Sequence, residues 1–283
     1  MRRFAMLALL IGSVVQAQDV TTMLAGREVS IWLPASHEAA PVVVYSHGFG
    51  GCPTQPAYFL KALAKHGYVV VSPRHRDAGC GKRTPRTSML AFDQPSRWSD
   101  DSYVDRRDDV HAVEIALRDD PRFNRRIDFT RLAYAGHSLG GYTAVALAGG
   151  WSTWGGEFTP RAVLALCPYV KPFMLSNTLG NVHVPIMFQG GTRDVAITNA
   201  LEQRGGAYDA MRDAKYLVVF RNAGHLTWGG KANATHDDIV AYSVAFLDRY
   251  VKQLPASPTL TDASGLAAFR YDSELGRRAG GEH

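Results

Sequence analysis

Gly136-His137-Ser138-Leu139-Gly140 follows the apolar run Arg131-Leu132-Ala133-Tyr134-Ala135 and precedes the helix-forming run Tyr142 to Ala148. A G-x-S-x-G pentapeptide between a strand and a helix sets its serine on a strained turn, and the flanking glycines are needed because side chains there would meet the neighbouring strand and helix. Ser138 is therefore the candidate nucleophile. The strand-turn-helix context also predicts the kind of sheet to which the serine belongs.

Reading outward, Val42 to Ser46, Tyr68 to Ser72, Ala162 to Leu166, Pro185 to Gln189 and Tyr216 to Phe220 are continuous apolar runs. Strands buried on both faces look like this. Between them lie segments of helical composition: Pro56 to His66, Tyr103 to Arg118, Asn199 to Met211 and Thr235 to Tyr250. Alternating strands and helices argue for an α/β fold with a mostly parallel central sheet and helices on both faces. Glu28 to Pro34 alternates and is expected to be an edge strand that Pro34 ends. Arg74 to Asp101 is a polar, proline-bearing excursion placed to shape the mouth of the site. Trp151 to Gly156 is too short for a lid, so no large cap domain is expected.

The 283 residues, 46% of them hydrophobic, suffice for one domain with a substantial core. It is expected over residues 18–254. Residues 255–283 carry few bulky apolar groups beyond Leu266, Phe269 and Tyr271 and are expected to form a loosely attached tail. The formal charge of +5 is spread without a lysine/arginine block, which argues against a nucleic-acid partner. Residues 1–17 have the form of a signal peptide, with Arg2 and Arg3 before the apolar Phe4 to Val15 and small residues before Gln18. That run is too short for a stable membrane anchor. A periplasmic or secreted protein is expected.

An oxidising compartment lets disulfides persist. Cys52 and Cys80 each follow a strand-like run by a few residues, so parallel strands would carry both to one sheet edge, and they are the expected pair. Cys167 ends an apolar run and reads as a buried small residue. No cofactor or metal motif is present in the sequence.

In a parallel sheet the C-terminal ends of the strands share an edge. Ser138, Asp194 and His225 all lie at or just past such ends, in the order nucleophile, acid, histidine. His225 would take the Ser138 proton and return it to the leaving group, with Asp194 fixing the imidazole tautomer. His137, His236, Asp209 and Asp213 are rivals less well placed. Two backbone N–H groups would serve as oxyanion donors: that of Leu139, and that of Phe49 in the loop His47-Gly48-Phe49-Gly50-Gly51.

Together, His47 to Gly51, Gly136 to Gly141, Gly190 to Asp194 and Ala223-Gly224-His225 resemble the α/β-hydrolase superfamily. The similarity is to the branch of dienelactone-hydrolase-like proteins, platelet-activating-factor acetylhydrolases and bacterial cutinases, and it covers Val42 to Tyr250. It implies an α/β-hydrolase fold. Phe49 matches an oxyanion-loop aromatic of the bacterial cutinases, Leu139 a methionine and Tyr169 a substrate-contacting tryptophan, so Phe49 and Tyr169 are implied to line the substrate cleft. Dienelactone hydrolases use a cysteine where Ser138 stands.

These features lead to an expected exported serine hydrolase acting on small or polymeric carboxylic esters of short to medium acyl chain through an acyl-enzyme, without a cofactor. A lipase or polyester hydrolase, a peptidase or amidase on the same triad, and a noncatalytic ligand-binding member of the fold are the alternatives.

Overall fold

Val42-Val43-Val44 and Val69-Val70-Val71 lie side by side in parallel register, fully buried, at the centre of the sheet. β-Branched side chains favour a pleated surface, and one that is covered on both faces has no use for polar residues. The computed structural model describes residues 18–80, 92–212, 214–231 and 233–273. The signal peptide expected over residues 1–17, the centre of the 74–101 excursion and Asp213 lie outside them.

In chain order the first half contains β1 (Gln18–Leu24), β2 (Arg27–Leu33), β3 (Ala40–Ser46), α1 (Ala57–Lys65), β4 (Val69–Pro73), α2 (Val104–Asp119), β5 (Ile127–His137) and α3 (Leu139–Val145). The second half contains β6 (Ala162–Leu166), α4 (Lys171–Leu175), β7 (Ile186–Gly191), α5 (Val195–Glu202), α6 (Ala207–Ala210), β8 (Lys215–Phe220), α7 (His236–Tyr250) and β9 (Leu266–Asp272). The strands form one sheet in the order β1-β2-β4-β3-β5-β6-β7-β8-β9. Neighbours from β4 to β8 in that order pair in parallel, whereas β1 with β2, β2 with β4 and β8 with β9 are antiparallel.

Alternate residues of each strand enter opposite cores. Val42 and Val44 pack in the cluster with α2 and α3, while Val43 and Tyr45 pack with α1 and α7. Along α7 the residues Ile239, Tyr242, Ser243, Phe246 and Leu247 are buried, the i, i+3, i+4, i+7 stripe of a helix laid on a sheet.

Three expectations require correction. The segment beginning at Glu28 is β2, an interior strand, because β1 adds outside it and takes the edge. Leu266–Asp272 is a strand of the sheet, where a loose tail was expected: Leu266 is buried, Phe269 packs 6.0 Å from Tyr242, and Tyr271 stacks on Tyr216. Those are the few apolar residues of that segment, and strand pairing needs little more than them. The helix expected over Asn199 to Met211 is split into α5 and α6, with Gly205 in the left-handed region at φ +73° between them.

Candidate active site

β5 delivers Ser138 to the edge of the sheet, and α3 starts at the next residue. Ser138 sits at φ 56°, ψ −116°, a region costly for any residue with a Cβ. Its N–H donates to the Leu166 carbonyl at 3.0 Å, and its own carbonyl accepts from Tyr142 and Tyr169. A Cβ on Gly136 would collide with the Gly140 carbonyl, and one on Gly140 with the Ser46 carbonyl. The glycines of the pentapeptide thus let β3, β5 and α3 approach closely enough to force the turn.

Asp194 follows β7 and opens α5, and His225 begins a short 3-10 turn, His225–Thr227, after β8. The three sequence-predicted side chains meet. The Ser138 hydroxyl lies 2.9 Å from His225 Nε2, and His225 Nδ1 lies 2.5 Å from Asp194 Oδ2. With Nδ1–H donating to the carboxylate, Nε2 is left to accept the serine proton. The same Asp194 oxygen accepts the Cys167 thiol proton at 2.8 Å. Burial by itself would raise the Asp194 pKa, but the hydrogen bonds from His225 and Cys167 outweigh it and hold the carboxyl below its ordinary value. Burial, reinforced by Asp194, pushes the Cys167 thiol well up, so this cysteine is a proton donor and not a nucleophile.

Donor atoms of Cys167, Asp194 and His225 lie within 4.8 Å of one another. They are joined by N–H···O and S–H···O bonds.

The rivals are engaged elsewhere. His137, pushed down to about 3 by burial and next by His225, is neutral and donates from Nε2 to the His225 carbonyl at 2.9 Å, so it braces the His225 backbone. His236 stacks on Tyr58, and Asp209 pairs with Arg270.

Across from Ser138, the loop after β3 presents Gly48, where a Cβ would stand 3.5 Å from the Ser138 Cβ. The Gly48 carbonyl accepts from His47 Nδ1 at 2.8 Å and from Gly51 N–H at 3.0 Å. Because the peptide is planar and trans, the Phe49 N–H points away from those donors. The Phe49 and Leu139 N–H groups have no acceptor among the described residues. A cavity of about 210 Å³ lies beside Phe49 and Ser138, lined also by Gln55, His137, His225 and Leu226 among others.

Tyr169 departs from expectation. It is only 4% exposed, its hydroxyl donates to the Phe92 carbonyl at 2.7 Å, and its ring packs against Phe92 and Trp98 at 4.9 and 4.8 Å. Phe92 also stands 6.0 Å from Phe49, so the returning limb of the 74–101 excursion covers Tyr169 and occupies the space beside the loop after β3. Phe49 itself is half-buried.

Cys52 and Cys80 are both half-buried free thiols, and the disulfide expected between them is not formed in the structure. The loops that carry them are nonetheless joined, since Gly79 N–H donates to the Gly51 carbonyl at 3.2 Å. Among the described residues no helix is long and apolar enough to cross a membrane.

Residues 25–254 match the family model described as PETase, PET hydrolase-like. The chain is similar to Cutinase est1 of Thermobifida alba, with 26% identity over 227 residues covering 79% of this chain and 65% of the relative. It resembles Cutinase est2 of the same organism at 25% identity, covering 79% and 64%, and Cutinase 2 of Thermobifida cellulosilytica at 26% over 225 residues, covering 78% and 72%. The chain thus spans just under two thirds of the length of the two Thermobifida alba relatives.

Proposed function

The chain belongs to the PET hydrolase-like family, and from that premise we propose that it is an exported serine hydrolase that cleaves carboxylic esters through an acyl-enzyme, favouring short to medium acyl groups. The observation that carries this reading is the unbroken line from Asp194 through His225 to the Ser138 hydroxyl, beside two backbone N–H groups without acceptors.

Ser138 Oγ attacks the ester carbonyl while its proton passes to His225 Nε2. Asp194 stabilises the imidazolium, and the Phe49 and Leu139 N–H groups face the oxygen on which charge develops. Collapse expels the alcohol, protonated by His225. Water, activated by the same imidazole, then attacks the acyl-enzyme carbonyl and releases the carboxylic acid with Ser138 restored. Export is supported by the arginine-led apolar leader in residues 1–17.

A fluorophosphonate probe tests the reading. Stoichiometric modification at Ser138 with loss of p-nitrophenyl ester turnover is expected. A chain inert to the probe and without ester turnover is a binding member of the fold, and the proposal fails.

A further inference from the structure

Behind the oxyanion loop lies a buried polar cluster that the hydrolytic steps do not use. Arg106, on α2, is wholly buried. Its guanidinium donates to the His47 carbonyl at 2.7 Å and to Ser46 Oγ at 3.1 Å, and forks onto both Asp77 carboxylate oxygens at 3.2 and 2.6 Å. The Asp77 backbone carbonyl in turn accepts from Gly50 N–H at 3.2 Å. A second arm runs from the Ser46 hydroxyl to His75 Nε2 at 2.8 Å and from His75 Nδ1 to Asp109 at 2.9 Å, with Asp109 paired to Arg27.

Ser46, His75 and Asp109 repeat the hydrogen-bonded serine···histidine···carboxylate line of Ser138, His225 and Asp194, though not its order along the chain. Ser46 and His75 are buried, however, so no substrate reaches them. Burial holds His47 and His75 well below the ordinary histidine range, leaving each ring neutral with one N–H. His47 takes its proton on Nδ1, since Nε2 accepts from the His75 N–H at 3.2 Å.

Buried ion pairs seldom add stability over apolar packing, and what they can supply is geometry. The His47 carbonyl and the Gly48 N–H belong to one planar unit, so the carbonyl's bond to Arg106 fixes the direction of that N–H. We propose that Arg106 is a positioning residue for hydrolysis: it pins the loop at His47 directly and at Gly50 through Asp77, so that the Phe49 N–H is aimed at the oxyanion before substrate arrives. The inference rests on the ester-hydrolase reading of the site.

Two variants test it. Arg106→Lys keeps the charge without the fork, and Arg106→Met/Asp77→Asn removes both charges, so neither leaves a carboxylate buried without compensation. The measurements are the rate of Ser138 phosphonylation by a fluorophosphonate, whose phosphoryl oxygen takes the oxyanion position, and kcat and KM for p-nitrophenyl acetate. Loss of one oxyanion donor lowers rates by about 10² to 10³-fold. Folded variants are expected to lose at least about tenfold in phosphonylation rate and kcat, with KM within about threefold of the parent. A folded variant of either kind that is phosphonylated within about threefold of the parental rate overturns the proposal. A parent chain that is phosphonylated but hydrolyses no ester overturns the functional reading instead, and the rate ratio between parent and variants still decides the role of Arg106.

Discussion

Ser138 is held in a backbone region that a side chain ordinarily avoids, and its neighbours over-determine it: Leu166 takes its N–H, Tyr142 and Tyr169 donate to its carbonyl, and β3 closes against Gly140. Strain of about 1 to 3 kcal/mol persists only where such support exists. Its effect is to present Oγ to His225 and not to the helix that follows. Members of a triad act as one unit, so Ser138→Ala and His225→Ala should each lower kcat by at least about 10³-fold while melting cooperatively. Asp194→Asn should cost of order 10⁴-fold, because an amide stabilises the wrong imidazole tautomer. Steady-state kinetics on folded variants checks this, and near-normal turnover in any one of them removes that residue from the mechanism. The meeting of Ser138, Asp194 and His225 was legible because all three lie at or just past strand ends, in a fixed order. The Cys167 thiol donor to Asp194 was not, since a cysteine closing an apolar run has the composition of core whether or not it donates a proton.

At the scale of elements, α2 is where sequence and structure part most. Its buried stripe runs Arg106, Asp109, Val110, Val113, Glu114, Leu117, so charged side chains stand where periodicity expects apolar ones. From sequence such charges read as a solvated face. Only the loops after β3 and β4, folded against the helix, supply the Asp77 carboxylate and the His47 carbonyl that, with Ser46 Oγ at the end of β3, make burial of Arg106 tolerable. Among the described residues Glu114 has no such cation. Burial pushes it up to about 8, against the pull of the nearby Tyr134 hydroxyl. Below its ordinary value of 4.5 the group is protonated in folded and unfolded chains alike. Between there and about 8 the folded chain keeps a proton that the unfolded chain releases, so stability falls as pH rises. Glu114→Gln removes that loss. Its advantage in melting temperature over the parent should be small near pH 5, grow toward pH 8 and then level, with a ceiling of a few kcal/mol at about 1.4 kcal/mol per pH unit. An offset independent of pH would rule out Glu114 as the titrating group. The joined loops after β3 and β4 lead to a second expectation. In an exported, oxidised chain Cys52 and Cys80 should form a disulfide worth about 3 to 4 kcal/mol in the chain-entropy model. Peptide mapping of unreduced protein decides it, and free thiols at both positions, with no change in melting on reduction, would refute it.

For the whole molecule, the parallel strands carry the loops after β3, β5, β7 and β8 to one edge, which is why strand order alone brought Phe49, Ser138, Asp194 and His225 together. Alternating composition records that topology. It does not record where a long excursion returns, and that return sets the shape of the cleft. Phe92 stands edge-on to both Phe49 and Tyr169, at interplanar angles of 73° and 78°, and Trp98 packs against both Phe92 and Tyr169, at 5.3 and 4.8 Å. The side of the site that an open aromatic cleft would offer is therefore filled by the chain itself. Beside Ser138 lies the cavity of about 210 Å³. Each buried methylene contributes about 0.8 kcal/mol, so kcat/KM for p-nitrophenyl esters should rise over the first few acyl carbons and stop rising once the chain reaches water. Phe92→Ala should open the slot between Phe49 and Tyr169. A benzoyl group entering it would regain aromatic contacts worth about 0.5 to 1.5 kcal/mol each, so the benzoate-to-acetate ratio of kcat/KM should increase by about tenfold. The triad is untouched, and acetate turnover should stay within about threefold of the parent. A parent enzyme whose activity keeps climbing to long acyl chains, or a Phe92→Ala variant with an unchanged benzoate-to-acetate ratio, would mean that Phe92 yields to substrate and does not limit it.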